Sequence, residues 1–305
     1  MSKFKPRFGW VPRPRAVNAV LKKLPRPILA DHDRKIRGTG AGKIVLLHKC
    51  VEQLNGGVWP IADQGQGYGM CVGASAAWIA MVLMAVDIAL RGEPEEWRGQ
   101  VAIEPIYAGS RVEVGKGRLG SSDGSVGAWA AKWLTDWGVL PCAKYGAVDL
   151  STYDPRRARD WGMPKKGCPD ELEPIAREHP IETASLVTTY EQARDSIANG
   201  YPVTVASMVG FDDNGRRDAD GFLTPKGTWP HQMGLIGVDD EFRRPGCLCN
   251  QTWGKWGSGP KRHNQPDSTF WIDAEVLNRM FAEKDSFAFS GFAGFPARPL
   301  DYLLI

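Results

Sequence analysis

Asp63-Gln-Gly-Gln-Gly-Tyr-Gly-Met-Cys71-Val-Gly-Ala-Ser-Ala-Ala-Trp78 is the stretch whose reading decides the fold. A glycine-rich loop carrying two glutamines runs into a single Cys. That Cys opens an apolar helix expected to reach about Arg91 and to stop at Gly92 and Pro94. A thiol at a helix start faces unpaired amides and the positive end of the helix dipole. Both favour the thiolate, which is the nucleophilic form. The glycines let the backbone approach a bound molecule with no side chain between. Gln64 or Gln66 is suited to donate an amide N–H to a developing oxyanion. The plain alternative is a small buried Cys at the start of a core helix.

A thiolate nucleophile needs a base, and the base needs an orienting partner. Five histidines are available: His32, His48, His179, His231 and His263. His32 and His48 lie in or beside a basic N-terminal arm, His179 precedes Pro180, and His263 sits in a polar loop. Only His231 directly follows a turn and opens an apolar strand, Trp229-Pro-His231-Gln-Met-Gly-Leu-Ile-Gly-Val-Asp239. Further on, Cys247-Leu-Cys-Asn250-Gln251-Thr-Trp253-Gly254 reads as a strand ending in a Trp-Gly turn.

These pieces, in this order, resemble the papain superfamily of cysteine peptidases. The motifs are a Gln-Gly loop, Gly-x-Cys followed by small residues, a later Gly-Ser loop before a helix, a strand-opening His, and polar-x-Trp-Gly. His231 lies 160 residues after Cys71, close to the separation in that superfamily of about 130–150. The likeness covers roughly residues 56–290. It implies peptide-bond cleavage by a Cys71 thiolate with His231 as acid and base, acting on a peptide or protein substrate without a cofactor. It implies that Gln66, Gly69 and the loop Ser122-Asp123-Gly124 meet the substrate, and that Trp253 shields the orienting hydrogen bond from water. Ungapped alignment on Trp253-Gly254 puts Gln251 where the superfamily has its orienting Asn; Asn250 serves instead if the strand bulges. The copy departs from the pattern. Val72 replaces an aromatic residue, Met70 replaces a small one, and Gly67 and Tyr68 stand where a disulfide Cys is usual. The loop between Gln64 and Cys71 is also one residue longer.

The chain has 305 residues, 43% of them hydrophobic and 24% charged, with twelve Trp, as in an ordinary folded protein with a large core. The longest apolar run, Cys71 to Val86, is short of the roughly 18 residues of a membrane span, and no membrane partner is expected. The start, Met-Ser-Lys-Phe-Lys-Pro-Arg, has no apolar stretch behind it, so no signal peptide is expected. Six cysteines without such a signal argue for a reducing compartment, cytoplasmic or within a particle. None has the spacing of a metal site, and Cys247 and Cys249 read as packing on one face of a strand.

Residues 1–45 hold twelve Lys and Arg against Asp31 and Asp33, a net charge of +10, so the rest carries −7 of the total +3. Three segments are expected: a basic, Pro-rich extension over 1–50, a helical half over 51–145, and a β-rich half over 146–305. Helices first and strands later define an α+β protein with its cleft between the two halves. The extension is read as outside the core. It is expected to wrap over the body or to be disordered, or to dock on an acidic protein surface, or, less in keeping with its few aromatics, to touch nucleic acid. Within the body, Trp129, Trp133 and Trp137 share one face of a helix over 126–137. Residues 210–230 read as an exposed hairpin or loop, and Asp273 as the cap of a helix over 274–283. Two other functions fit the same residues. One is a papain-like body without turnover, serving as a structural or binding part of a phage or bacterial assembly. The other is a cell-wall amidase or endopeptidase of Cys-His type.

Overall fold

A computed structural model describes residues 7–60, 65–91 and 96–291. Along the chain come α1 (Pro14–Leu21), β1 (Ile44–Leu46), α2 (His48–Leu54), α3 (Cys71–Arg91), α4 (Ile103–Gly109) and α5 (Gly127–Asp136). A short hairpin, β2 (Lys144–Tyr145) and β3 (Val148–Asp149), then α6 (Pro155–Trp161) and α7 (Glu173–Ala176), lead to the sheet. The remaining elements are β4 (Thr183–Leu186), α8 (Tyr190–Ala198), β5 (Val203–Phe211), β6 (Pro225–Asp239), β7 (Gly246–Asn250), β8 (Thr269–Asp273), α9 (Ala274–Phe281) and β9 (Phe287–Ser290).

Helix α3 is the axis of the core. It begins at Cys71, as its sequence implies, and is apolar on nearly every side because α2, α4, α5 and β6 enclose it. Its 20 residues Cys71–Leu90 are long and apolar enough to cross a membrane, longer than the run read from sequence, yet most of that surface is buried inside the protein. Thr189 and Asp273 cap α8 and α9 by accepting the N–H of Gln192 and Val276. On α5 the Trp stripe is largely buried, and Trp133 stacks on Trp137 with ring centroids 5.1 Å apart.

Among the described residues, seven strands form one antiparallel sheet in the order β4-β9-β5-β6-β7-β8, with β1 also on β6. Strand β6 is its spine. Its first part pairs with β5, with His231 opposite Ser207, and its last three residues pair with β1. On the other edge it pairs with β7, Gly234 standing opposite Asn250. The β5–β6 register shifts between Ser207 and Val209, where β6 carries Trp229 and Pro230. Such a bulge suits a proline, which has no N–H for the ladder.

Two expectations are corrected here. His231 does not open its strand: β6 begins six residues earlier, at Pro225, so part of the loop expected over 210–230 is sheet. Nor do the described residues of the expected extension, 7–50, form an appendage. Val17, Val20, Leu24, Leu29, Ile36 and Val45 are buried in the main core, and β1 completes the sheet. Prolines forbid a long helix there, but not the short α1 and the turns after it, which send apolar residues inward and leave most Lys and Arg in water.

Each of those six side chains contributes about 1.5–3 kcal/mol by burial, which together matches a typical net stability of roughly 5–15 kcal/mol. Deleting residues 1–45 is therefore expected to abolish cooperative urea unfolding followed by Trp fluorescence. A truncated chain that still unfolds in one sharp transition would show the segment to be dispensable.

Candidate active site

Cys71 sits at the first position of α3 with no exposed surface. The backbone N–H of Gln232 donates to its sulfur at 3.4 Å, and the Gly9 amide also faces it. These N–H groups favour the thiolate, but burial outweighs them and pushes the thiol up to about 12. In this closed state the thiol is neutral at pH 7.

The donor Gln232 is the neighbour of His231 on β6, so the strand that carries the imidazole also touches the sulfur. His231 is buried, and burial lowers its pKa to about 3, so the ring is neutral as well. Trp253 lies against the ring, centroids 4.6 Å apart. Nδ1 of His231 has no hydrogen-bond partner, while Nε2 lies 3.5 Å from Thr252 Oγ1. Thr252 in turn bonds to Gln66 Oε1.

Neither expected amide reaches the imidazole. Gln251 Oε1 accepts the N–H of Trp253 and its Nε2 donates to Gly254 O at 3.2 Å, so the longer side chain folds back into its own turn. Asn250 Oδ1 accepts from Ser268 Oγ at 2.6 Å. Gln64 lies outside the described residues. Gln66 is within them: it is buried, and its Nε2 donates to Tyr68 O at 2.8 Å and to Arg7 O at 2.9 Å.

That last acceptor belongs to a strap of main chain, residues 7–11, laid across the site. Arg7 O also accepts from Trp253 Nε1 at 2.9 Å. The Phe8 ring packs on both His231 and Trp253, with centroids 6.0 and 5.8 Å away. Gly9 and Trp10 donate to Pro230 O, the carbonyl at the β6 bulge, at 3.2 and 3.1 Å. On the other wall Ser125 N donates to Gly9 O at 2.8 Å, and Val11 N donates to Ser125 O at 2.9 Å. Only glycine fits at position 9, because a Cβ there would lie 1.9 Å from Gly69 O. Trp10 Nε1 reaches Asp285 Oδ2 at 2.7 Å, and Asp285 also accepts the Gly127 and Ala128 N–H groups at the start of α5. Burial raises this carboxyl to about 7.

The Gly-Ser loop is therefore a cleft wall, and Arg111 shapes it. This buried guanidinium donates to the carbonyls of Gly120, Ser122 and Gly124. Gly124, at φ +103°, is the loop residue expected at the substrate that does meet the strap: a Cβ there would be 2.7 Å from Gly9 O. The Ser122 hydroxyl turns back to Leu119 O and Asp123 pairs with Arg159, although the Asp123 Cβ flanks Gly69. Sequence reasoning missed Phe8, Gly9, Trp10, Arg111, Gln232, Thr252 and Asp285. The strap had one usable signal, an aromatic-Gly-aromatic triplet followed by Val11, which Pro12 biases to extended backbone.

No protein-family model matches the sequence, and no curated protein matches it. Solved structures do. Xylellain, a cysteine protease from Xylella fastidiosa, matches with a TM-score of 0.52 and 17% identity over 95% of this chain and 94% of that one. ProCathepsin B S9 from Trypanosoma congolense matches with a TM-score of 0.54 and 13% identity over 96% of this chain and 87% of that one. At such identities the likeness is one of architecture: the chain has the papain-like cysteine protease fold, in a widely diverged sequence.

The buried imidazole has a pH signature. Between pH 6.5 and about 3 the unfolded state holds a proton on this residue that the folded state lacks, so His231 makes stability fall as pH falls through that window. His231→Gln should remove about 1 kcal/mol per pH unit of that slope. Asp285 acts oppositely between about pH 4 and 7, because its folded-state carboxyl keeps a proton that the unfolded state has lost. Denaturant titrations of wild type and His231→Gln at pH 6 and pH 4 measure the difference. Equal changes in the two proteins would contradict a buried, neutral imidazole.

Proposed function

We propose that the chain is a latent cysteine peptidase, closed by its own residues 7–11. One observation carries this reading: the groove beside Cys71 already holds an extended peptide. Both walls bond to the backbone of that peptide, and two side-chain N–H groups bond to one of its carbonyls. A groove that binds main chain in this way fits a peptide substrate, and the papain-like fold agrees with it.

In the open state Cys71 gives its proton to His231 Nδ1, and the sulfur attacks a peptide carbonyl carbon. The carbonyl π electrons move to oxygen, which accepts an N–H from Gln66 Nε2. The C–N bond then breaks as His231 returns the proton to the leaving amine, and water, deprotonated by the same imidazole, releases the acid and restores the thiol. Removing the strap supplies what the closed state lacks, access for substrate and water to a thiol that burial now keeps protonated. A second reading, a peptide-binding part without turnover, is favoured by that same complete burial of Cys71.

Alkylation separates the two. Cys71 in the full chain should react slowly with iodoacetamide near neutral pH. Phe8→Ala combined with Trp10→Ala removes side-chain burial worth about 1.5–3 kcal/mol per ring, and labelling of Cys71 should rise by roughly 10–100-fold. The same variant should cleave a mixed peptide library, and Cys71→Ala should abolish that cleavage. Fast labelling without cleavage would favour the binding part. No rise in labelling would contradict the strap as the closing element.

A further inference from the structure

We propose that Thr252 is the positioning residue of this site, its one hydroxyl, aimed by the Gln66 amide, fixing the tautomer of His231. The identification of His231 as the base rests on the peptidase reading; the hydrogen-bond argument does not. Gln66 Nε2 faces two carbonyl oxygens, those of Arg7 and Tyr68, at 2.9 and 2.8 Å. Carbonyls only accept, so the NH2 end of the amide must lie on that side, and Oε1 must face Thr252. An amide oxygen carries no proton, so the single proton of the Thr252 hydroxyl goes to Gln66. The lone pairs of Oγ1 then face His231 Nε2, 3.5 Å away. A neutral imidazole has one N–H, and here it lies on Nε2, donating to Thr252.

Two consequences follow for chemistry. Nδ1 is left bare and without a partner, and on the peptidase reading it is the nitrogen free to accept the thiol proton. The Gln66 amide is held by the Arg7 and Tyr68 carbonyls with its N–H groups toward the groove, and its oxygen takes the Thr252 proton, so the amide aims the hydroxyl and the hydroxyl sets the imidazole. The 3.5 Å separation is at the long end of hydrogen-bond distance, so this is the weaker of the two contacts that the hydroxyl makes. Among the described residues Gln251 and Asn250 do not compete for the role, because they are committed to the Trp253 turn and to Ser268.

The test reads the tautomer, not turnover. Full-length protein labelled with 15N-histidine is examined by long-range 1H–15N correlation at pH 7, with His231 assigned by its loss in His231→Gln. Wild type and Thr252→Ser should show the Nε2–H form. Thr252→Val should lose it, giving a mixture. Gln66→Leu removes the acceptor of the Thr252 proton, so the hydroxyl should turn to donate to the ring and shift His231 to the Nδ1–H form. An Nδ1–H ring in wild type, or spectra unchanged by both Thr252→Val and Gln66→Leu, would overturn the proposal. Such a result would leave Cys71 alkylation untouched, whereas an unreactive Cys71 would sink the peptidase reading and leave the tautomer standing.

Discussion

The structure depends on the grip that Gln232 takes on the first turn of α3. From the middle of β6 this buried residue gives its backbone N–H to the Cys71 sulfur. Its side-chain Nε2 donates to Ser75 Oγ at 2.8 Å. One residue thus pins the end of the central helix to the spine of the sheet. Both partners are in the core, where an unpaired polar group is costly, so the grip is strongly preferred over a helix sliding along the strand. Everything at the site is measured from it. His231 precedes Gln232 on the same strand, and Pro230, one residue earlier, offers the carbonyl that receives the strap.

The strap then decides the electrostatics. With residues 7–11 in place, Phe8 covers the imidazole and the Gly9 amide faces the sulfur, so the closed site contains no water-exposed nucleophile. Low dielectric favours the neutral pair of thiol and imidazole over the ion pair. On the proposed peptidase reading, the same low dielectric would strengthen every hydrogen bond to a developing oxyanion once a substrate replaced the strap. On the proposed peptidase reading the strap uses the polar groups that a peptide would use, and its opening would expose Gln66 Nε2, Trp253 Nε1, Pro230 O and the backbone of Ser125 together.

Much of this was legible in the sequence. Cys71 announced the start of α3 because a glycine-rich loop meets an unbroken apolar run there, and Asp273 marked the cap of α9 before an amphipathic stretch. His231 stood out because it leads an apolar strand segment. The rest was hidden for physical reasons. Residues 1–50 look solvated by charge count, yet the Val, Leu and Ile among them face the core, and a one-dimensional tally cannot see direction. Gln251 matched by alignment, but its extra methylene lets the amide close on its own turn, which leaves the shorter Thr252 beside the ring. Asp285 and Arg111 gave no local signal, since their partners, Trp10 and the carbonyls of Gly120, Ser122 and Gly124, lie elsewhere along the chain.

The central claim is that residues 7–11 are bound as a strand in a peptide groove. Amide hydrogen exchange at Trp10, Val11 and Ser125 tests it most directly, because their N–H groups bond across the groove to Pro230, Ser125 and Gly9. The account predicts that the three amides are protected and exchange at one common rate, set by opening of the strap and faster than global unfolding. Exchange of Trp10 and Val11 at the rate of an unstructured peptide, with Ser125 still protected, would contradict it.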